Sequence, residues 1–190
     1  MRGKITEKTS GESTADASGD VAEIEASDDF VFFWLPNEPN GYLSQWYQAK
    51  MIVDGVEYAN CEQYMMAKKA LAMGDVEYYV LIMHETDPKK IKDLGRGIRG
   101  FDSKKWDLCK EKIIYDGNVA KFFQNKGLAL RLLTTEDAIL AEASRYDMIY
   151  GIGYFETDPE AKIPEKWKGQ NLLGKTLMKI RDELRLNGNA

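Results

Sequence analysis

Hydrophobic and polar positions change rhythm several times along the chain. Phe30-Val31-Phe32-Phe33-Trp34-Leu35 is a short, unbroken apolar run that suits a buried strand, and Pro36, Pro39, Asn40 and Gly41 then force a turn. Met51-Ile52-Val53 and Val56-Glu57-Tyr58 flank Asp54-Gly55, the dipeptide favoured in two-residue hairpin turns. From Asn60 the spacing turns helical. Asn60 with Gln63 predicts a capping box that opens a helix ending near Gly74. The run Val80-Leu81-Ile82-Met83 leaves His84 at a helix end, and Asp87-Pro88 starts another helix that stops near Gly95. Asp102 caps a longer segment carrying Trp106, Cys109, Ile113, Phe122 and Phe123, with a break expected at Asp116-Gly117-Asn118. Gly127 to Leu133 reads as a short helix and Ala138 to Ala143 as an extended segment. Asn171 opens a last helix whose apolar face is Leu172, Leu173, Leu177, Ile180 and Leu184, ending at Asn187-Gly188. The expected fold is one mainly helical α+β domain over 30–190, with a small β-hairpin and a short-strand element.

Residues 1–29 differ in kind. They contain no aromatic residue and hold eight acidic against three basic side chains, which is the whole net charge of −5. So little apolar surface cannot offset chain entropy, so this segment reads as a disordered acidic tail. The remainder is neutral, without the basic excess of a protein that coats nucleic acid. With Cys61 and Cys109 alone, and His84 as the single histidine, a disulfide scaffold, a multi-cysteine zinc site and a clustered-histidine metal site are all excluded. No metal or cofactor is expected. Neither an apolar segment after Met1 nor a run of membrane-span length occurs, so the expectation is a soluble protein of the cytoplasm or nucleus.

Three segments could carry chemistry. In Cys61 to Ala70, Glu62, Met66 and Lys69 share a helix face, and Glu62 and Lys69 lie roughly 10 Å apart along the axis, placed to flank a small substrate. Glu62 sits in the first turn, where the helix dipole favours the ionised carboxylate. The plainer alternative is an amphipathic helix with its charges in solvent. In Leu94 to Asp102, three glycines would let the backbone approach a ligand, and Arg96 and Arg99 offer forked donors for phosphate, with Trp106 following either as a stacking surface or as a core anchor. In Glu142 to Gly153, Glu142 and Asp147 flank a turn that runs into Tyr150-Gly151-Ile152-Gly153. Two carboxylates in a cleft can divide acid–base and cation-stabilising roles. Cys61 at a helix start is a candidate low-pKa thiol, though no partner base is evident.

Taken in order, these segments resemble the YbiA-like, or NADAR, superfamily from about Phe32 to Leu184. The resemblance rests on Pro39-Asn40-Gly41-Tyr42-Leu43-Ser44, Asp54 to Tyr58, Glu62 through Lys69, Leu94-Gly95-Arg96, Trp106, Lys121-Phe122, Leu132-Leu133-Thr134, Glu142 through Gly153, and Asn171-Leu172-Leu173-Gly174 with Leu177-Met178 and Arg181. It implies a hydrolase of N-glycosidic bonds to ribose, acting on phosphoribosylamino-pyrimidine intermediates of riboflavin synthesis or on ADP-ribosyl-guanine. By the same resemblance Glu62, Lys69 and Asp147 are catalytic candidates. Ser44, Arg96, Trp106, Glu142, Tyr150, Gly151 and Asn171 are candidates for substrate binding, with Trp106 stacking on the base and Arg96 holding phosphate. Three segments depart from the family pattern: Gln45-Trp46 stands where Asn-Phe is frequent, Met66 where Gln is, and Tyr150 where Trp is.

The implied partners are a small ribosyl or ADP-ribosyl substrate, or an ADP-ribosylated nucleic acid acting as one, with no membrane and no obligate protein partner. The rival from another class is a non-catalytic NAD or ADP-ribose-binding module. Because residues 1–29 lack apolar anchors, deleting them should leave turnover and melting temperature nearly unchanged. A large fall in melting temperature would show that the tail docks on the domain.

Overall fold

The computed structural model describes residues 30–188. Two parallel strands, β1 (Phe30–Phe33) and β4 (Ile139–Glu142), pair in the register Phe30 to Ile139 and Phe33 to Glu142. Between them run the hairpin β2 (Met51–Val53) and β3 (Val56–Tyr58) and six helices: α1 (Cys61–Met73), α2 (Val76–His84), α3 (Pro88–Gly97), α4 (Ser103–Asp107), α5 (Lys110–Gln124) and α6 (Lys126–Leu133). The last helix, α7 (Leu172–Leu186), follows two short 3-10 turns. The α+β, mainly helical architecture agrees with the sequence expectation. The hairpin is as anticipated, with Asp54 and Gly55 both at positive φ. The acidic tail expected over 1–29 lies outside the described residues. Among those residues, no helix is long and apolar enough to cross a membrane.

α1 is the centre of the fold. Its first seven residues, Cys61 through Ala67, are all buried, with α2, α3 and α5 packed around it. With its first two turns enclosed, the helix cannot keep Glu62 in solvent, so the amphipathic alternative fails at that end. Lys68 and Leu71, further along, reach the surface. Its N-terminus is capped by Asn60, whose Oδ1 accepts from Gln63 N at 2.8 Å. Gln63 Oε1 accepts from Ala59 N, one residue earlier than in a capping box, and its amide nitrogen donates to the Ile82, Met83 and Glu85 carbonyls, closing the end of α2.

Several local expectations change for packing reasons. Helix α5 runs unbroken through Asp116-Gly117-Asn118, and the interruption falls earlier, at Leu108-Cys109. Gly117 serves a close helix contact instead: a Cβ there would sit 2.7 Å from the Tyr64 ring on α1. Gly95 and Gly97 likewise admit Met66 and Tyr78, so these glycines bring α3 onto α1 and α2 rather than onto a ligand. Helix α3 accordingly continues two residues past Gly95. Arg99 is bound to Asp75 through Nε and Nη2 at 3.0 and 2.6 Å and also pairs with Glu77, so it is a structural arginine and not a free phosphate donor.

Asn171 precedes α7 in the left-handed region (φ 51°) without capping it through its side chain. Its buried amide lies across β4, accepting from Glu142 N at 3.1 Å and donating to Leu140 O at 2.8 Å. Asn171→Ala should therefore cost about 2–3 kcal/mol, from two lost hydrogen bonds, backbone partners left unpaired and a strained backbone. Urea denaturation measures it, and a loss below the error of the method would show that β4 is held by other contacts.

Candidate active site

The parallel pairing brings the C-terminal ends of β1 and β4 to the first turns of α1, and a cavity of about 460 Å³ opens there. Trp34 and Leu35 leave β1, and Glu142 and Ser144 leave β4, on one wall. Ser44, Gln45 and Trp46 form the second wall, α1 the floor through Glu62, Met65, Met66 and Lys69, and α3 the third wall through Lys89, Lys92, Asp93, Gly95 and Arg96. The loop carrying Tyr146, Asp147 and Tyr150 completes the enclosure.

Of the residues singled out from sequence, Ser44, Glu62, Lys69, Arg96, Glu142, Asp147 and Tyr150 line this cavity together. The face predicted for α1 is thus the face that meets the cavity. Trp106, Gly151 and Asn171 do not line it. Trp106 is buried in the main core, the core against which Tyr150 packs, so it stands behind the wall and not on its surface. Gly151 is wedged beneath the loop, where a Cβ would press on the Glu142 and Asp147 carbonyls. Asn171 acts from below by fixing the backbone of β4. His84 ends α2 against the Val80 carbonyl. Trp34 and Lys92 belong to the wall but were not legible as site residues. For Lys92 the signal was present, since Lys89, Lys92 and Arg96 are spaced three and four apart on α3.

Burial dominates the electrostatics. Glu62 is 3% exposed and its carboxyl is pushed up to about 7, first by desolvation and further by Asp147, with Lys92, Trp46 and Lys69 opposing. Enclosure thus outweighs the helix dipole that the first-turn position would have supplied. Glu142 rises to about 8, by desolvation and then by Asp147 and Glu62. Glu62 Oε1 and Glu142 Oε2 are both sealed from solvent without a hydrogen-bond partner. Asp147 is held differently: its Oδ1 accepts from Ile149 N at 3.0 Å and Tyr150 N at 2.8 Å. Burial holds the Lys69 amine below the usual lysine range against the pull of Glu62, and its Nζ donates to Gly95 O at 2.8 Å. Burial pushes the Tyr150 hydroxyl above its ordinary range. The Cys61 thiol is pushed up to about 11, so its place at a helix start does not activate it. Arg96 sits at the rim with one guanidinium nitrogen on Asp93 at 2.8 Å.

This arrangement gathers three carboxyl groups, the basic face of α3, Lys69 and aromatic rings around one cavity. It suits acid–base work on a small, hydroxyl-rich anion. Among the described residues, no group of three or more His, Cys, Asp or Glu side chains is arranged to hold a metal ion.

Comparison with known proteins gives the lineage. The NADAR domain model matches residues 32–185, and the chain belongs to that family. N-glycosidase R617 of Acanthamoeba polyphaga mimivirus is 44% identical over 166 residues, 83% of this chain and 97% of that protein. Riboflavin biosynthesis protein VVA0006 of Vibrio vulnificus is 28% identical over 154 residues, 81% of this chain and 38% of that longer protein. The NMR structure of the Escherichia coli protein YbiA matches with a TM-score of 0.70 at 27% identity, covering 85% of this chain and 88% of that one.

The raised carboxyls have a consequence for stability. Between the ordinary value of 4.5 and about 8, the folded chain keeps a proton on Glu142 that the unfolded chain releases. This contribution is complete below the ordinary value and is lost as pH rises through the folded one. Glu142→Gln should therefore melt above the wild type at alkaline pH, with the gap closing under mild acid. A gap independent of pH would contradict the burial of that carboxyl.

Proposed function

We propose that this protein is an N-glycosidase that hydrolyses the bond between ribose C1′ and the nitrogen of a heterocycle, on a substrate carrying phosphate. The observation that supports this best is the pair of partnerless, buried carboxyl oxygens, Glu62 Oε1 and Glu142 Oε2, on the wall of one cavity. A buried acceptor without a donor is costly, and ribose hydroxyls are donors of the right kind to relieve it. The basic face of α3, with Lys89, Lys92 and Arg96, supplies counter-charge for phosphate on an adjoining wall.

Breaking the glycosidic bond leaves positive charge on the ribose ring while the base departs with the bonding electrons. Asp147, braced by two backbone N–H groups, is the anion that stabilises that charge. Glu62, titrating near neutrality, gives its proton to the leaving nitrogen and takes one back from the water that adds to C1′. Trp34, Trp46 and Tyr150 offer aromatic surface to the heterocycle, the role expected of Trp106 from its place in the chain. A phosphoribosylamino-pyrimidine suits the name of the Vibrio relative, and an ADP-ribosyl-guanine suits the same chemistry with a longer phosphate arm. Lys69 supports a variant route, in which an amine held below its usual range attacks C1′ as the base leaves with the bonding electrons. The ring then opens to a Schiff base, and water hydrolyses the imine to release ribose and the free amine. A covalent adduct trapped on Lys69 by borohydride selects that route, and repeated failure to trap one disfavours it.

Mass spectrometry of products from these substrates, with NAD and ADP-ribose in parallel, tests the activity. Ligand binding without release of free base would leave a binding module instead. Glu62→Gln and Asp147→Asn should each lower turnover on the order of a hundredfold, with much smaller effects on binding. Wild-type turnover should fall as pH rises past about 7, where Glu62 loses its proton, and Glu62→Gln should lack that limb. Near-normal turnover in both variants would sink the assignment.

A further inference from the structure

Lys121 lies on α5, away from the cavity, and is completely buried. Among the described residues no carboxylate lies within salt-bridge distance of its amine, which rests near the Tyr47 and Phe122 rings. Its one hydrogen bond goes from Nζ to Ser44 O at 2.8 Å. One turn earlier on α5, buried Asn118 donates through Nδ2 to Gln45 Oε1 at 3.1 Å. These two contacts hold consecutive residues of the wall segment Ser44-Gln45-Trp46. That segment meets Glu62 directly: Gln45 O accepts from Glu62 N at 3.1 Å, and Trp46 lines the same cavity as Glu62.

A buried amine without a counter-ion is costly, and Met would fill the same space more cheaply. A purely structural position gains little from lysine here. We propose that Lys121 and Asn118 are positioning residues that act through the Ser44-Gln45-Trp46 segment, holding it against the first turn of α1 and so setting the surroundings of the Glu62 carboxyl. The proposal rests on the catalytic reading of Glu62 for its effect on turnover, but not for its effect on the Glu62 titration. The other groups facing Glu62 are Lys69 on the same helix, Lys92 on α3, Glu142 at the end of β4, and Asp147 and Tyr150 on the following loop. None of them is altered by the variants below.

The test is the titration of Glu62, followed by NMR of ¹³C-labelled glutamate carboxyls in the ligand-free full chain and assigned with Glu62→Gln. Trp46→Phe removes the indole donor, which favours the ionised form, so the Glu62 midpoint should move up. Lys121→Met and Asn118→Ala should move it the same way, and Lys121→Met combined with Trp46→Phe should move it no further than Trp46→Phe alone. On whichever ribosyl substrate the wild type cleaves, Lys121→Met should lower kcat on the order of tenfold with little change in KM. Its melting temperature should hold or rise. An unmoved midpoint in Lys121→Met, or a lower kcat matched only by a lower melting temperature, would overturn the proposal. If Lys121→Met does not fold, Asn118→Ala carries the same test, and an unmoved midpoint there overturns it equally. A wild type that cleaves no ribosyl substrate would refute the proposed function, and the Glu62 midpoints would then uphold or overturn the positioning role by themselves.

Discussion

The burial of the Glu62 carboxyl at the start of α1 is the constraint around which the rest of the molecule is arranged. A carboxylate there would ordinarily gain from the helix dipole and ionise easily. Enclosure by α3, the Ser44–Trp46 segment and the β4 wall reverses that balance and lifts the group to about 7. The enclosure depends on helices approaching more closely than side chains usually permit, at Gly95 against Met66 and at Gly117 against Tyr64. It also depends on Asn171, which holds the backbone of β4 where Glu142 enters the wall.

The same crowding accounts for the division of labour among the three carboxyls. Glu62 and Glu142 are enclosed and lack hydrogen-bond donors at one oxygen each, so desolvation raises both. Asp147 stands in a turn that supplies two backbone N–H donors, and its charge raises the other two further. Glu62 and Glu142 are thereby both held well above the usual carboxylate range within a single cavity. Lys92 on α3 opposes the rise at both glutamates, and Lys69 on α1 opposes it at Glu62.

The NADAR relationship and the cavity describe the site at different resolutions. Ancestry accounts for the order of motifs along the chain, whereas geometry sorts those motifs by what they touch. Trp106 and Asn171 carry part of the resemblance, yet one lies in the main core behind Tyr150 and the other holds β4. Gln45 and Trp46, which depart from the pattern, stand in the wall itself, and Gln45 is tied to Asn118 on α5.

Local chemistry made much of the fold legible from the chain alone. Asp54-Gly55 specified the hairpin through its backbone preference, Asn60, Asp87 and Asp102 marked helix starts through their side-chain acceptors, and Gly74 marked a helix end. Spacing put Glu62, Met66 and Lys69 on one face because the helical repeat is a local property. What spacing could not supply was the neighbour each face would meet. Whether Gly95, Gly97 and Gly117 served a ligand, a break or a helix crossing depended on Met66, Tyr78 and Tyr64, which stand on other helices. The fate of Arg99 depended on Asp75, and that of Trp106 on Tyr150. Desolvation is likewise a property of the assembled surroundings, so the shift of Glu62 opposite to its dipole expectation was decided only by tertiary structure.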